Sequence, residues 1–424
     1  MNGLTEEAKE QIYHCNKCGI CLVECPVYNE LRIESFSPRG KVQLIRNYSE
    51  GKLSLTKRVK EIIYSCLMCE ACVNNCPSGV NQALLFSSMR AEIVRKQGLD
   101  WKKGIVYKFL SNENLLHKIS SVVRRGQEIL PNQVAAGIKI GNIPLARFPR
   151  LNQKPFRDQI PEVIKPDGPA VAKVLYFTGC FTNYADEKVG HAVINVLRAL
   201  KVEVEIPKEQ CCCGIPMFAS GDRDSVMENI KKNISLFNRQ DVDAVVVDCA
   251  TCGSALRKWY PQLLKEAGED TSGAEELSKK TLDILEFIAK RFHPLPFDSK
   301  TAKAKVKVTY HDPCHLNRVQ KVKKEPRMLL QDIPNVEFVE MPNADACCGG
   351  GGLFQFEFPE LSGKITGRKI QNILKTEAEI VATGCPGCRL TIGGNLPKES
   401  NITVVHPIQL IEEALSPSSE SSRS

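Results

Sequence analysis

Apolar residues recur at three- and four-residue spacing through long stretches of the chain, and short unbroken apolar runs interrupt that rhythm. Leu55, Val59, Ile62 and Ile63 predict a helix over Leu55–Tyr64, and Arg39–Tyr48 has the same spacing. Ile105, Val106, Phe109 and Leu110, then Leu115, Leu116, Ile119, Val122 and Val123, predict further helices, as do His191–Leu200, Ser225–Phe237 and Gly363–Leu374. The unbroken runs are of strand type, and each ends on a cysteine. They read Val174-Leu-Tyr-Phe-Thr-Gly-Cys180, Ala244-Val-Val-Val-Asp-Cys249, Val308-Thr-Tyr-His-Asp-Pro-Cys314 and Ile380-Val-Ala-Thr-Gly-Cys385. Buried strands alternating with helices predict βαβ-type α/β domains whose cysteines converge beyond the strand carboxyl ends.

Composition narrows the class. Apolar residues make up 42% of the chain and charged ones 25%, an ordinary globular balance that excludes a collagen, a coiled coil and a disordered chain. With 424 residues there is enough chain for two or three domains, so disulfide staples are not needed, and 19 cysteines cannot all pair. Met1–Glu10 has neither the basic nor the apolar region of a secretory leader. No apolar run approaches the roughly 20 residues of a bilayer span. The expectation is a cytoplasmic protein in which clustered thiols are metal ligands rather than disulfides.

The first eight cysteines form two identical patterns, C-x2-C-x2-C-x3-C-P, at Cys15, Cys18, Cys21, Cys25-Pro26 and at Cys66, Cys69, Cys72, Cys76-Pro77. Three thiolates two residues apart wrap one corner of an iron–sulfur cube, and the fourth, turned away by the proline, reaches the other cluster. One [4Fe–4S] cluster is therefore expected on Cys15, Cys18, Cys21 and Cys76, the other on Cys66, Cys69, Cys72 and Cys25. Zinc needs only four ligands from two pairs and leaves the third cysteine and the Cys-Pro of each motif unexplained. The helical insertion between the motifs resembles the helical ferredoxin domain of succinate-dehydrogenase-type iron–sulfur subunits.

Ten later cysteines fall into an internal repeat. Cys180, Cys212-Cys213-Gly214 and Cys249-x2-Cys252 are followed, 134 to 136 residues on, by Cys314, Cys347-Cys348-Gly349 and Cys385-x2-Cys388. This spacing resembles the cysteine-rich CCG domain, present in two full copies. Two ferredoxin motifs followed by two such domains resemble the glycolate oxidase iron–sulfur subunit family, close to the iron–sulfur subunits of D-lactate and anaerobic glycerol-3-phosphate dehydrogenases and of heterodisulfide reductase. Ser37-Pro-Arg-Gly-Lys41 and Tyr310-His-Asp-Pro-Cys-His-Leu316 match the family as well. By that resemblance the two five-cysteine sets hold one or two further iron–sulfur clusters, of the non-cubane type or cubanes, or zinc.

Weaker features change less. Cys211 has no counterpart, since Ala346 stands in its place, and reads as a spare thiol. His311 and His315 bracket Cys314, where the first repeat has Phe177 and Phe181; they either donate protons near a cluster or fill the turn by hydrogen bonding. They are the only catalytic candidates. Gly349-Gly-Gly-Gly352 follows no strand and precedes no Gly-Lys-Ser/Thr, so it reads as backbone brought close to a cluster rather than as a phosphate loop. Residues 101–166 hold twelve Lys and Arg against four Asp and Glu, a surplus that equals the +8 of the whole chain. Such a basic, partly helical segment either packs on its own protein or docks on an anionic membrane surface or an acidic partner. Nucleic acid is not expected, for want of interleaved aromatic and Arg residues.

The fold expected is an α+β multidomain chain: a helical two-cluster domain over residues 1–100, a basic helical and Pro-rich connector over 101–168, CCG domains over 169–302 and 303–415, and a disordered tail over 416–424. The resemblance implies an electron-transfer subunit working with an FAD-containing 2-hydroxy acid oxidase subunit, for glycolate or D-lactate, and a quinone or other acceptor. The rival is disulfide reduction at a non-cubane CCG cluster. Peripheral contact through residues 101–166 would hold it on the inner face of the membrane.

Overall fold

The structure, a computed structural model, describes residues 4–129, 139–140, 143–144, 149–297 and 305–415. The expected tail lies outside these residues, as does part of the Pro-rich connector.

Capping residues start the N-terminal helices where the apolar periodicity begins. Thr5, Ser37 and Thr56 each accept a backbone N–H through the side-chain oxygen, from Ala8, Gly40 and Val59, and so open helices Glu6–Tyr13, Pro38–Ser49 and Lys57–Tyr64. Pro38 adds a preset φ at the first position of its helix. These pack around Gln82–Gln97, a helix buried continuously from Gln82 to Ile93. A helix hidden on every side belongs at the centre of a domain.

Two parallel sheets follow. The first joins β1 (Val163–Ile164), β2 (Ala172–Phe177), β3 (Val202–Glu205), β4 (Ala244–Val247) and β5 (Thr281–Asp283) in the order β1-β3-β2-β4-β5, with only β1 antiparallel. The second joins β6 (Val306–Tyr310), β7 (Val336–Phe338), β8 (Ile380–Ala382) and β9 (Thr403–Val405) in the order β7-β6-β8-β9, all parallel. The order β3-β2-β4-β5 is repeated strand for strand by β7-β6-β8-β9, which is the duplication in three dimensions. Strand β1 comes from the stretch read as connector, so the first sheet begins before residue 169. Phe156, fully buried against His191 at 5.0 Å between ring centroids, seals the same stretch onto the domain. One core of aliphatic and aromatic side chains runs from Val174 and Tyr176 on β2 to Val308 and Tyr310 on β6 and on to Ile408.

The helical domain docks on the first repeat through groups that leave no gap. Arg90, on the central helix, donates to the carbonyls of Cys66 at 2.6 Å and of Ala219 at 2.7 Å, and Tyr64 donates its hydroxyl to the Ser220 carbonyl at 2.8 Å. Gly221, at φ +87°, sits so close that a Cβ there would lie 2.4 Å from the Arg90 carbonyl. The connector also packs on its own protein. Tyr107 is buried, and the Glu113 carboxylate accepts the Tyr184 hydroxyl at 2.5 Å and pairs with Arg157. No helix among the described residues is long and apolar enough to cross a membrane.

Two outcomes follow from this packing. Gly221→Ala combines left-handed strain with a backbone clash and should cost roughly 2–4 kcal/mol. It would show as a lower unfolding midpoint and faster proteolysis between the helical domain and the first repeat; an unchanged midpoint would contradict the close docking. Asp283, fully buried, caps Leu285 at 2.9 Å, and burial pushes its carboxyl up to about 8. An unfolded aspartate titrates near 3.9, so between about pH 4 and pH 8 the folded chain holds the extra proton and stability falls as pH rises. Asp283→Asn keeps the cap and removes that proton. Its thermal stability relative to wild type should therefore improve from pH 5 to pH 8, and an equal difference at both would refute the assignment.

Candidate metal centres

Each ferredoxin motif folds into the same loop. The second residue after its first cysteine (Lys17, Met68) and the fourth (Gly19, Glu70) all have positive φ, between 55° and 90°. This coiling turns three sulfurs to one side. In the first motif Arg39 braces the loop, donating to the Lys17 carbonyl at 3.0 Å while paired with Glu34 at 2.7 Å. In the second, Glu70 is buried and pairs with Lys258 of the first CCG repeat at 2.5 Å.

Cys15, Cys18, Cys21 and Cys76 line one small cavity, with Arg39 and Gln82. Burial pushes the Cys21 thiol up to about 11, and the charges of Cys15, Cys18 and Cys76 push the same way. Cys66, Cys69, Cys72 and Cys25 line a second cavity with Lys41 and Phe86. There burial pushes Cys25 up to about 11 and Cys72 well above the usual thiol range, each opposed by its neighbours' charges as well. The Tyr28 amide donates to the Cys25 sulfur at 3.5 Å and the Met68 amide to the Cys66 sulfur at 3.4 Å. The fourth cysteine of each motif is thus found beside the other motif's three.

These donor sets fit iron–sulfur clusters on their chemistry. Four sulfurs face one apolar space and cannot all ionise there unless a cation joins them. Lys41 makes the same point from the other side. Its side chain is buried, its ammonium donates to the Phe36 carbonyl, and no carboxylate among the described residues pairs with it. An ammonium in the interior needs an anionic neighbour, and thiolates bound to iron supply one.

All ten CCG cysteines line a single cavity of about 320 Å³, largely apolar, at the carboxyl ends of both sheets. Cys66 and Met68 of the ferredoxin-type domain line it too, so it adjoins the second four-cysteine group. The two sets touch: the Ala250 amide donates to the Gly384 carbonyl at 3.0 Å, and Thr251 Oγ1 lies 3.7 Å from the Cys385 sulfur. In the first set the Cys213 thiol falls to about 5 because Cys212 and Cys252 donate to it. In the second, Cys348 and Cys388 sulfurs are 3.4 Å apart.

The two histidines are not equivalent. His315 bridges three parts of the chain, with Nε2 at 3.3 Å from the Met68 carbonyl and Nδ1 at 3.3 Å from the Thr251 hydroxyl. His311 is buried, with Nδ1 at 3.1 Å from the Ala344 carbonyl, and faces Cys348 and Cys388. Cys211 stays apart from the cavity, its sulfur 3.5 Å from Asn233 Oδ1. Of the glycine run, Gly351 and Gly352 line the cavity, whereas Gly349 and Gly350 admit Thr366 and Thr391, whose hydroxyls a Cβ would meet at 2.5 Å. Sequence reasoning missed Arg90 and Arg318 as site residues. Arg318 reaches from the second repeat to the Cys69 carbonyl at 3.5 Å and to the Asp345 carbonyl at 2.8 Å. Neither has a spacing signal. Lys41 had one, since it shares a helix face with Val42 and Ile45.

Comparison with known proteins agrees with this layout. Residues 11–80 match the 4Fe-4S dicluster domain, and residues 174–257 and 308–393 each match the cysteine-rich domain. A probable glycolate oxidase iron–sulfur subunit of Bacillus subtilis is 30% identical over 98% of this chain and 97% of its own length. One polypeptide of the dihydromethanophenazine:CoB–CoM heterodisulfide reductase of Methanosarcina acetivorans is 26% identical over 97% of this chain and 96% of its own. Lactate utilization protein A of Bacillus pumilus is 34% identical over 56% of this chain and 98% of its own length.

Proposed function

The chain belongs to the glycolate oxidase iron–sulfur subunit family, and on that premise we propose that it relays single electrons between an FAD subunit oxidising a 2-hydroxy acid and a quinone or other respiratory acceptor. Glycolate is the first substrate of such a complex to test and D-lactate the second. The ligand sets we assign are Cys15, Cys18, Cys21 and Cys76 for one [4Fe–4S] cluster and Cys66, Cys69, Cys72 and Cys25 for the other. Cys180, Cys212, Cys213, Cys249 and Cys252 hold a third metal centre, and Cys314, Cys347, Cys348, Cys385 and Cys388 a fourth. Bound clusters supply the one-electron carriers; the chain's own residues space them, keep water out and set the surrounding charge.

The observation that carries this reading is continuity. Cys72 lies in the field of both Cys66 and Cys21, which joins the two ferredoxin-type groups, and Cys66 also lines the cavity that the two repeats share. The outer face of the connector gives the relay a place to dock. Trp101, Ile105, Val106, Val122 and Val123 are exposed there alongside Lys102, Lys108, Lys118 and Arg125. That mixture suits a peripheral contact with an anionic membrane surface, from which a quinone is within reach.

A second reading has its own support in the shared cavity, which is lined by His315 beside the Cys314 set. In it the chain itself reduces a disulfide. The two readings part on one experiment. The anaerobically purified chain should be reduced by glycolate or D-lactate only after its flavoprotein is added; disulfide reduction by the chain alone, given a chemical electron donor, would overturn the relay. Ligand assignment is checked separately by paramagnetic resonance of the reduced protein. Cys25→Ser should remove the signal that Cys69→Ser removes, not the one lost in Cys18→Ser. The opposite pairing would mean that each motif keeps its own fourth cysteine.

A further inference from the structure

We propose that His311 is a metal ligand, so that the centre in the second CCG repeat takes an imidazole nitrogen beside its thiolates while the first is held by thiolates alone. The inference rests on the reading that both five-cysteine sets hold a metal.

A ring nitrogen of His311 and the sulfurs of Cys348 and Cys388 all lie within 4.8 Å of one another, and all three residues are buried. The tautomer is fixed by the other side of the ring. Nδ1 faces the Ala344 carbonyl at 3.1 Å, and a carbonyl only accepts, so Nδ1 carries the hydrogen. That carbonyl is held in place, because Lys369 Nζ also donates to it, at 3.1 Å. Nε2 then presents a lone pair. It is buried and meets no oxygen or nitrogen partner among the described residues; the group placed to meet it is the Cys348 sulfur. A thiol is a weak donor, so without a metal this buried lone pair keeps most of its desolvation penalty. A metal shared with Cys348 and Cys388 removes it. Imidazole ligands are characteristically oriented in this way, one nitrogen on the metal and the other N–H on a backbone carbonyl.

The first repeat offers a built-in contrast. Phe177 stands 134 residues earlier, fully buried, with its ring 5.2 Å from that of Phe237. A hydrophobic core residue in one copy has become an oriented imidazole in the other, at the ends of equivalent strands. Thiolate and imidazole together suit iron or zinc. On iron, an imidazole that displaces one of the five thiolates puts a neutral nitrogen where a negative sulfur would be, and this raises the reduction potential of the second centre relative to the first.

The test uses the full chain, purified anaerobically with its native metals, whose iron and zinc content is measured first. If the second set holds iron, pulsed paramagnetic resonance of the reduced protein should show an imidazole nitrogen coupling. If it holds zinc, absorption at the zinc edge should show one nitrogen among the sulfur neighbours. Either signature should vanish in His311→Phe, which installs the first repeat's side chain, and in His311→Cys, with the two ferredoxin-type signals intact. Metal in the second set with no nitrogen neighbour in wild type, or with one that persists in both variants, overturns the ligand assignment alone. Iron at about 8 per chain with no zinc, the content of two cubanes, overturns the reading beneath it as well.

Discussion

Sulfur buried where it cannot carry its own charge is the condition on which this fold rests. Eighteen of the thiols line three apolar cavities, where burial and neighbouring sulfurs hold most of them far above the usual thiol range and a few are drawn down by neighbouring thiols that stay protonated and donate to them. Hydrophobic packing alone would not gather them, because a cavity walled by neutral thiols gains little over one walled by aliphatic groups. A polyvalent iron centre changes the sign of every one of these interactions, and binding it becomes part of the folding free energy. The parallel sheets and capped helices are arranged to meet that condition. Strands β2, β4, β6 and β8 run in the same sense within each sheet, so their trailing cysteines arrive at one end of the molecule.

The contacts that hold the domains together are also those that keep the metal sites adjacent. Arg90 ties the Cys66 carbonyl to that of Ala219, so the second ferredoxin-type group cannot drift from the first repeat without losing a buried guanidinium's partners. Arg318 does the same between Cys69 and the second repeat. His315 closes the triangle by touching Met68 and Thr251 at once. Electron tunnelling depends steeply on distance, and here that distance is fixed by hydrogen bonds to backbone carbonyls, which have no rotamers to lose.

The order of elements and the grouping of thiols were legible in the chain because both are local or periodic. The helix over Leu55–Tyr64 is found as Lys57–Tyr64, and each strand that was expected to end on a cysteine stops two to four residues before it. Fusion of the two CCG sets into one cavity was not legible, because it depends on how two sheets face one another. Strand β1 was missed because two residues, Val163 and Ile164, carry no period in a Pro-rich stretch. Arg90 sits on a helix buried on every side, where no polar face marks it out. The glycine run misled in part: two of its residues make room for threonines rather than for a cofactor.

Duplication builds two sites alike, and any later difference at a buried position must be held there by what the position does. Charge shows such a difference. Beside the first set stands Asp248, buried, its carboxylate taking hydrogen bonds from Tyr176 at 2.8 Å and Thr182 at 2.6 Å; its counterpart before Cys385 is Gly384. Beside the second set stands Lys369, buried, where the first repeat has the neutral Asn233 on the matching helix. Arg318 adds a second cation on the same side. An acid near one centre resists an added electron, and cations near the other welcome it. Asp248 on one side and Lys369 with Arg318 on the other give the two repeats different buried charges, a difference that the cysteine spacing, the same in both, does not carry.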